Sequence, residues 1–305
     1  YPVSLLFALV VYCRKWCYKR GVLGSVALDK PVVVVGNITA GGAGKTPLVI
    51  ALVKHLDARG LSVGVLCGGY GGRARGGPPI VVNAQTDAEL AGDEAIVIAR
   101  QTGVPVVVAK DRASGAQQLQ AQCDCIICDD GLQHYRLQRN VEIVVVDAQK
   151  RFGNGWMMPA GPLREPVRRL QSADLVCYSG AGHPTPGYEL HAEALINLHS
   201  HTRVVPREFP AIRVHAVAGI AHPDKFFGML RSLGFDPIEH PLPDHYSFNS
   251  ETLHFNDNLP VIMTEKDAVK CTKFARDNTW YLLVSAQPDR ALLEQFDQLI
   301  GQPGD

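Results

Sequence analysis

Short apolar runs alternate with amphipathic helical patterns along most of the chain. The runs predict strands near residues 32–36, 61–67, 79–83, 104–109, 124–129 and 141–147. Helical patterns fit between several of these strands, at residues 46–59, 87–101 and 112–120. This rhythm is typical of an α/β fold with a mostly parallel sheet, in which right-handed crossovers bring the carboxyl ends of the strands to one edge.

A stretch rich in proline and glycine, residues 180–190, interrupts this rhythm. After it, the pattern predicts a helix near residues 224–233 and strands at residues 213–218, 261–264 and 280–285. We therefore expect three parts in the chain. They are an N-terminal helical segment over residues 1–29, a core over residues 30–205 and a smaller C-terminal α/β lobe over residues 206–305.

The amino end of the chain, residues 2–13, is almost wholly apolar. Aromatic residues are interleaved with the cations that follow, Arg14, Lys15, Lys19 and Arg20. This run is too short to cross a bilayer comfortably, and the cations and aromatic rings favour the headgroup layer of an anionic cytoplasmic membrane face. A secretory signal is excluded because its positive charge would come first. A core helix of a soluble domain stays an alternative, and the start at Tyr1 leaves a longer apolar segment open.

The composition limits the class of partner. The 305 residues are 46% hydrophobic, which is enough for two modest α/β domains with a substantial core. Thirty basic and thirty acidic residues cancel, so the net charge gives no reason to expect nucleic acid. Eight cysteines, several of them within apolar runs, favour a reducing compartment over a disulfide framework. Any charged partner must therefore bind a local patch, and no protein partner is evident.

A glycine-rich turn follows the first predicted strand. Residues 32–46 read VVVVGNITAGGAGKT, so the turn ends at Lys45 and Thr46, where a helix begins. Glycines let backbone N–H groups close around an anion, the helix N-terminus adds partial positive charge, and the lysine reaches the terminal phosphates. A simple connecting turn would explain the glycines but not the Lys-Thr pair, although Thr39 stands where the usual pattern has glycine. The predicted nucleotide-binding residues are Thr39, Ala40, Gly41, Gly42, Ala43, Gly44, Lys45 and Thr46.

Two acids are adjacent at the end of the predicted strand at residues 124–129: Asp129 is its last residue and Asp130 follows it. Adjacent carboxylates are costly there unless positive charge is nearby. In a P-loop protein the positive group is Mg²⁺, which an acid at the end of a neighbouring strand binds together with the threonine hydroxyl of the loop. We therefore predict a Mg²⁺ site at Thr46, Asp129 and Asp130 in a P-loop NTPase-like sheet flanked by helices. An ordinary polar strand terminus is the alternative.

Two further motifs carry groups suited to proton transfer. Asp93 follows Gly92 near the start of a helical run, where an acid also complements the helix dipole. His245 follows Asp244 in PLPDHYSF, where a carboxylate beside an imidazole suits proton transfer or an exposed loop. Composition alone favours a structural role for both motifs.

Several segments together resemble the tetraacyldisaccharide 4′-kinase family, the lipid A 4′-kinases of Gram-negative bacteria. The segments are VVVGNITAGGAGKTP, GGYGG, GDE, CDDGLQH, FGNGWMMPAGPLREP, AGIAHPDKFF, PDHYSF and TEKDAVK. They occur in the family's order and cover residues 30–270. GPLREP and TEKDAVK have no general role in phosphate loops, so the joint match is far more specific than the loop alone.

The resemblance implies an ATP-dependent kinase, a phosphotransferase with an alcohol acceptor. The implied acceptor is the 4′-hydroxyl of a tetraacylated glucosamine disaccharide 1-phosphate, a lipid A precursor, and the implied cofactors are ATP and Mg²⁺. Because a substrate with several acyl chains stays in the bilayer, the resemblance also implies a peripheral or monotopic enzyme at the cytoplasmic face of the bacterial inner membrane. It therefore favours the interfacial helix at the amino end, with the membrane surface and the lipid as partners.

The resemblance also assigns roles. Asp93 matches the family's catalytic carboxylate, His245 its histidine partner, and Lys45 the lysine at the ATP phosphates. A sugar hydroxyl is a poor nucleophile, so a carboxylate held by imidazole would assist in-line transfer while lysine and metal stabilise charge. Because the two residues of the pair are far apart in sequence, closure of the lobes could assemble them. Further candidate substrate residues, for which ion-paired scaffolding is an equal alternative, are Arg112, Arg164 and Glu165.

Two competing function classes fit parts of the sequence. A regulatory or metal-insertion P-loop NTPase would use the same turn and acids, but the guanine signature of GTP-dependent members fails at Ala268, two residues after Lys266. A membrane-tethered scaffold that binds nucleotide without turnover would not need Asp93 or His245. The chain also departs from the family pattern at Gly68, where an arginine is usual, so any contact of that arginine is absent or supplied elsewhere.

Overall fold

Helices and strands alternate in this computed structural model, which describes residues 1–301. The helices are α1 (Pro2–Lys19), α2 (Lys45–Ala58), α3 (Ala88–Ala91), α4 (Asp93–Thr102), α5 (Arg112–Leu119), α6 (Pro223–Ser232), α7 (Glu265–Cys271) and α8 (Arg290–Ile300). The strands are β1 (Val32–Gly36), β2 (Val63–Cys67), β3 (Ile80–Val82), β4 (Val106–Val108), β5 (Cys125–Asp129), β6 (Val141–Asp147), β7 (Leu175–Ser179), β8 (Gly187–Asn197), β9 (Arg203–Val204), β10 (Arg213–Ala218), β11 (Asp236–Pro241), β12 (Val261–Thr264) and β13 (Thr279–Pro288).

The strands of the described residues form one thirteen-stranded sheet. Their order is β11-β10-β12-β13-β8-β7-β6-β1-β5-β2-β4-β3, and β9 pairs with β8 outside this path. Neighbouring strands are parallel except in the antiparallel pairs β3–β4, β8–β13 and β8–β9. The predicted fold class, a mostly parallel sheet flanked by helices, is confirmed.

The central strand β1 has a sequence suited to burial on both faces. All five of its residues are buried, and its alternate side chains enter two different core layers. Val33 and Val35 cluster with the apolar residues of α2, whereas Val32 and Val34 lie in the layer on the opposite face. β1 pairs in parallel with β5 on one side and β6 on the other, so the three carboxyl ends open at the same edge.

The second half of the chain continues the same sheet. β13 pairs with β8 and with β12, so β10 and β12 are joined by hydrogen bonds to the strands around β1. α7, which follows β12, packs against α4. The stretch at residues 180–190, predicted as a boundary region, contains the start of β8 at Gly187. The division into a core and a C-terminal lobe stays a prediction, and residues 302–305 of that lobe lie outside the described residues.

The structure differs from the sequence pattern in two ways. The pattern does not predict the strands β7, β8, β9 and β11 or the helices α7 and α8. β11 contains two prolines, which are tolerated because it is an edge strand. The pattern also predicts one helix over residues 87–101, but Gly92 separates α3 from α4 with φ +84°. A Cβ at Gly92 would lie 2.4 Å from the carbonyl oxygen of Tyr70. This break places Asp93 in the first turn of α4.

α1 packs one side against the sheet and exposes the other. Ser4 is buried, and Phe7, Ala8 and Val11 pack against the core layer beneath β1. The large apolar and aromatic residues exposed on α1, called its exposed face below, are Val3, Leu5, Leu6, Leu9, Val10, Tyr12 and Trp16. Among residues 1–301, no helix combines the length and the apolar character needed to cross a membrane.

Residues 156–165 connect α1 to the loop between β1 and α2. The hydroxyl of Ser4 donates a hydrogen bond of 2.5 Å to the carbonyl oxygen of Met157. Further along the same segment, the carbonyl oxygen of Pro162 accepts a hydrogen bond of 2.7 Å from the amide of Ala40. The segment is therefore held by α1 on one side and supports the loop on the other.

We expect the Ser4→Ala variant to unfold more easily than the wild type. The substitution removes one of the two donors to the carbonyl oxygen of Met157, which keeps the amide of Gly161 at 3.2 Å. Loss of one such hydrogen bond costs about 0.5–1.5 kcal/mol of the free energy of unfolding. Urea titration followed by circular dichroism measures this difference, with Ser250→Ala, at an exposed serine, as the matched control. Equal midpoints for the two variants would show that the Ser4 contact does not stabilise the fold.

Candidate active site

The loop between β1 and α2, residues 37–44, has the form expected for anion binding and is called the phosphate loop here. Gly41 and Gly44 adopt left-handed backbone angles, with φ +100° and +75°. The loop leads directly into α2, whose first residue is Lys45. Backbone turns of this kind direct successive N–H groups toward one point, where the helix N-terminus adds partial positive charge.

Side chains from β7 and β8 fix the orientation of the loop. The hydroxyl of Ser179 donates to the carbonyl oxygen of Ala43 at 2.9 Å, and the hydroxyl of Tyr188 donates to that of Gly44 at 2.8 Å. Because a trans peptide points its carbonyl and N–H in opposite directions, the amides of Gly44 and Lys45 point away from these two hydroxyls. The carbonyl groups are thereby kept out of the anion site.

The first residues of the predicted nucleotide site support the loop. The amide of Ala40 donates to the carbonyl oxygen of Pro162, and the backbone of Thr39 forms an isolated β-bridge with Leu163. The side chain of Asn37 donates to the Thr39 hydroxyl at 3.2 Å and to the carbonyl oxygen of Gly41 at 3.4 Å. These contacts leave the later amides of the loop as the candidates for phosphate binding.

Thr46 and Asp129, two of the predicted metal ligands, lie together at the carboxyl ends of β1 and β5. The Thr46 hydroxyl donates to Asp129 Oδ2 at 3.1 Å, and both residues are buried. Asp129 Oδ1 is also buried and has no hydrogen-bond partner among the described residues. Burial and the negative charge of Glu94 raise the pKa of Asp129 above its usual value. A buried carboxylate oxygen beside a hydroxyl is a set of oxygen ligands that suits Mg²⁺.

Asp130, the third predicted metal ligand, is already paired with cations. Its carboxylate lies 3.3 Å from the ammonium of Lys45 and 3.2 Å from the guanidinium of Arg164. Lys45 also donates to Asn37 Oδ1 at 3.0 Å. Burial alone would raise the pKa of Asp130, but the two cations outweigh it and lower the pKa. This carboxylate therefore positions Lys45 and Arg164 beside the phosphate loop.

Asp93 and His245, which are far apart in sequence, are in contact. His245 Nδ1 lies 3.2 Å from Asp93 Oδ2, and the ammonium of Lys270 lies 3.6 Å from the same oxygen. Asp93 Oδ1 is buried and has no hydrogen-bond partner in the described part of the chain. Burial opposes ionisation of Asp93, but His245, Lys266 and Lys270 together lower its pKa. The hydrogen bond to Asp93 raises the pKa of His245, although burial opposes this.

The segment TEKDAVK, which had no assigned role, supplies cations to these acids. Lys266 lies 2.5 Å from Glu94, next to Asp93 in sequence. Lys270 donates to Asp267 Oδ1 at 2.9 Å and also lies 3.6 Å from Asp93 Oδ2. Asp267, fully buried, accepts a hydrogen bond of 2.9 Å from the amide of Gly219. The segment forms α7, so the two lysines lie on one short helix packed against α4. Lysines spaced four apart in a helical segment are the sequence signal that points to this arrangement.

Arg112 is a buried cation without a carboxylate partner in the described residues. It is 2% exposed, and Nη1 donates to the carbonyl oxygen of Ala109 at 2.5 Å. Nε and Nη2 are buried without hydrogen-bond partners in residues 1–301. A Cβ added at Gly68 would lie 2.4 Å from Nη2, so the guanidinium occupies the space of a side chain at that position.

Glu165 lies in a buried ion network. Its carboxylate accepts hydrogen bonds from Gln133 at 2.8 Å and from Tyr135 at 2.6 Å, and Arg169 lies at 3.2 Å. It is 1% exposed. These contacts favour the scaffolding alternative for Glu165.

Known proteins resemble this chain along its whole length. The family model described as tetraacyldisaccharide-1-P 4′-kinase matches residues 1–301. A tetraacyldisaccharide 4′-kinase of Pseudomonas putida is 46% identical over 305 residues, covering 97% of this chain and 90% of the relative. One of Hahella chejuensis is 44% identical over 323 residues, covering 99% and 92%. The crystal structure of LpxK from Aquifex aeolicus in complex with ATP is 26% identical, covers 98% of each chain and has a TM-score of 0.80.

The Asp93–His245 pair makes a prediction about protonation. In Asp93→Asn the carboxylate charge is lost, so we expect the pKa of His245 to fall toward the ordinary value of about 6.5. An NMR titration of the histidine ring signals measures this pKa, with His245→Gln to assign the signal. Asp244→Asn is the control, because Asp244 is exposed and lies 4.0 Å from Nε2, and its effect should be smaller. An unchanged pKa in Asp93→Asn would contradict the pairing.

The same pair determines how its contribution to stability varies with pH. His245 has a raised folded pKa, so its contribution is complete below the unfolded value and is lost as the pH rises through the folded pKa. Asp93 has a lowered folded pKa, so its contribution is lost as the pH falls through that value. We expect the stability difference between wild type and Asp93→Asn to be largest between the two ordinary values, about pH 4 to 6.5.

Proposed function

The chain belongs to the tetraacyldisaccharide-1-P 4′-kinase family, and we propose that it transfers phosphate from ATP to the 4′-hydroxyl of a tetraacylated glucosamine disaccharide 1-phosphate, a lipid A precursor. Proteins of this family are kinases, that is, phosphotransferases with an alcohol acceptor. One observation carries the proposal: contacts between distant segments pair Thr46 with Asp129 and Asp93 with His245. The first pair suits a nucleotide with its metal, and the second suits activation of a hydroxyl.

In this proposal the phosphate loop binds the phosphates of ATP. The hydroxyls of Ser179 and Tyr188 donate to the carbonyl oxygens of Ala43 and Gly44. The amides of the same two peptide groups, those of Gly44 and Lys45, point the other way and can donate to an anion. Asp130 holds the side chains of Lys45 and Arg164 beside the loop. Both cations can stabilise the charge on the transferred phosphoryl group.

We assign Mg²⁺ to Thr46 and Asp129. The unpartnered, buried Oδ1 of Asp129 is the observation that fits a cation there, because an anionic oxygen without a donor is costly in the interior. When bound, the ion would neutralise charge on the phosphates. Asp130 is satisfied by its two cations, so we assign it to positioning.

Asp93 is proposed as the group that accepts the proton of the sugar hydroxyl. Its lowered pKa keeps the carboxylate ionised at neutral pH, and Oδ1 is the oxygen not engaged by His245. The hydroxyl would lose its proton to Oδ1 as its oxygen bonds to the γ-phosphorus of ATP, while the bond from that phosphorus to the bridging oxygen breaks and ADP leaves. His245 binds Oδ2 at 3.2 Å and so orients the carboxylate, while the charge of Lys270, 3.6 Å from the same oxygen, helps to keep it ionised.

Arg112 is proposed as an anion-binding residue of the same site. A buried guanidinium with two unpartnered nitrogens keeps its capacity to bind a phosphate oxygen. It also places a guanidinium against Gly68, the position at which the family usually has arginine. Glu165 is proposed as a scaffold residue, because its carboxylate is engaged by Gln133, Tyr135 and Arg169.

The exposed face of α1 supports a position on the cytoplasmic face of the bacterial inner membrane, where the acyl chains of the substrate would lie. This face is apolar, and the chain then continues with Arg14, Lys15, Lys19 and Arg20. Tyr1 packs against Trp156 at a ring distance of 4.7 Å, and the rings of both residues are exposed. An apolar face with cations and aromatic rings at its border suits an anionic lipid surface.

The catalytic assignment is tested by ATP-dependent labelling of the lipid disaccharide. We expect Asp93→Asn to lower the transfer rate by about 10²–10⁴-fold, because the acceptor for the hydroxyl proton is lost. Equilibrium binding of Mg-ATP should be retained, because Asp93 does not belong to the phosphate loop. Asp236→Asn, an exposed acid in β11, is the matched control. Equal transfer by both variants removes Asp93 from the mechanism, and no transfer by the wild type removes the proposed reaction.

The membrane assignment is tested by flotation with vesicles that contain anionic phospholipid. We expect Leu5→Asp and Leu9→Asp to bind far less than the wild type, because each places a charge on the exposed face of α1. Val81→Asp is the matched control, because Val81 is 55% exposed in the edge strand β3. Equal flotation of all variants would exclude α1 as the membrane-binding element.

A further inference from the structure

A cavity of about 310 Å³ lies beside the phosphate loop. One wall is formed by the loop itself, and the other includes Asp147, Lys150, Arg151 and His222. Asp147 ends β6, which flanks β1 on the side opposite β5. The cavity is therefore on the other side of the loop from Asp129, and no role assigned so far uses the four side chains named on its second wall.

The tautomer of His222 is fixed by its neighbour. Lys150 Nζ lies 2.9 Å from His222 Nδ1. An ammonium group has donors and no acceptor, so Nδ1 must accept this hydrogen bond and the ring proton must be on Nε2. Burial and the charges of Lys150 and Lys225 lower the pKa of His222, against the weaker effects of Asp147 and Asp244. These groups favour the neutral ring.

The Nε2 side of the ring faces the phosphate loop. A Cβ added at Gly41 would lie 3.2 Å from His222 Nε2, and Gly41 has a left-handed φ of +100°. His222 immediately precedes α6, so it belongs to the second half of the chain and reaches across to the loop. Lys225, in the first turn of α6, pairs with Asp147 at 2.5 Å and holds the start of α6 in this position.

We propose that His222 is a phosphate-contacting residue, whose Nε2–H donates to a phosphate oxygen of the ligand bound at the phosphate loop, with Lys150 as the residue that positions it. This inference rests on the proposed function, because it takes the loop to be a phosphate site. The phosphate belongs either to the nucleotide or to the 1-position of the lipid disaccharide. The same contact would join the second half of the chain to the occupied loop.

The test uses three substitutions of His222 that differ in where a donor remains. Glutamine places its NH₂ group near the position of Nε2, asparagine places it near Nδ1, and alanine has no donor. For His222→Ala and His222→Asn we expect the Kd of Mg-ATP, measured by calorimetry without lipid, to rise about tenfold, since a hydrogen bond to a charged group is lost. His222→Gln should stay within about threefold of wild type. His199→Ala, an exposed histidine between β8 and β9, is the matched control.

A second arm identifies the source of the phosphate. If the Kd of Mg-ATP is unchanged but the KM for the lipid disaccharide 1-phosphate rises in the alanine and asparagine variants, the contact is to the lipid. Lys150→Met should raise whichever constant His222→Ala raises, the Kd of Mg-ATP or the KM for the lipid, by a smaller factor. The reason is that Lys150 then no longer keeps the ring proton of His222 on Nε2. Thermal unfolding of each variant separates loss of binding from loss of the fold, because a purely structural role would lower the midpoint of the asparagine and glutamine variants alike.

Two results would overturn the inference. One is a set of His222 variants that all bind Mg-ATP and the lipid as the wild type does. The other is an equal loss in the glutamine and asparagine variants, which would show that the position of the donor is irrelevant. In both cases the wild type still transfers phosphate, so the proposed function survives. Absence of Mg-ATP binding by the wild type would instead overturn the proposed function.

Discussion

The arrangement of the site depends on one constraint, the need to compensate three largely buried carboxylates. Asp93, Asp129 and Asp130 lie at the site with little access to solvent. Buried charges are tolerated only when paired or bound to a metal. The compensating groups come from distant segments. Lys45 begins α2, Arg164 lies in the loop that follows β6, and Lys270 lies near the end of α7. The charged centre therefore depends on the packing of segments that are far apart in the chain.

The three carboxylates have different surroundings, and this difference separates their proposed roles. Asp130 is held by two cations, and Asp93 by a histidine and a lysine, which lowers the pKa of both. Asp129 has a neighbouring hydroxyl and the negative charge of Glu94, so burial prevails and its pKa is raised. An acid in that state is the one that gains most from an added cation. In the proposed function the same chemical group thus serves as a proton acceptor, a metal ligand or a holder of cations according to its neighbours.

The phosphate loop is supported from several directions by parts of the chain that contain no phosphate-binding motif. β7 and β8 fix its carbonyl groups through Ser179 and Tyr188. The segment around Pro162 engages its first amide and is itself tied to α1 through Ser4. Helices of the second half lie close to both sides of the site, with α7 at Asp93 and the start of α6 near the loop. A helix that suits a membrane surface is therefore connected to the loop by a short path of hydrogen bonds.

The sequence by itself determined the elements whose signals are local. Four valines followed by glycines and Lys45-Thr46 are enough to predict β1, the loop and α2, because strand propensity, turn geometry and helix start all depend on neighbouring residues. The sequence also placed Asp129 and Asp130 at a strand end, and its joint motifs identified the family. Only the tertiary structure decided that β8 continues the sheet, that Gly92 breaks a predicted helix, and that Glu165 is enclosed in an ion network. It also decided which cation meets which acid, since such contacts depend on how distant segments pack and not on neighbouring residues in the chain.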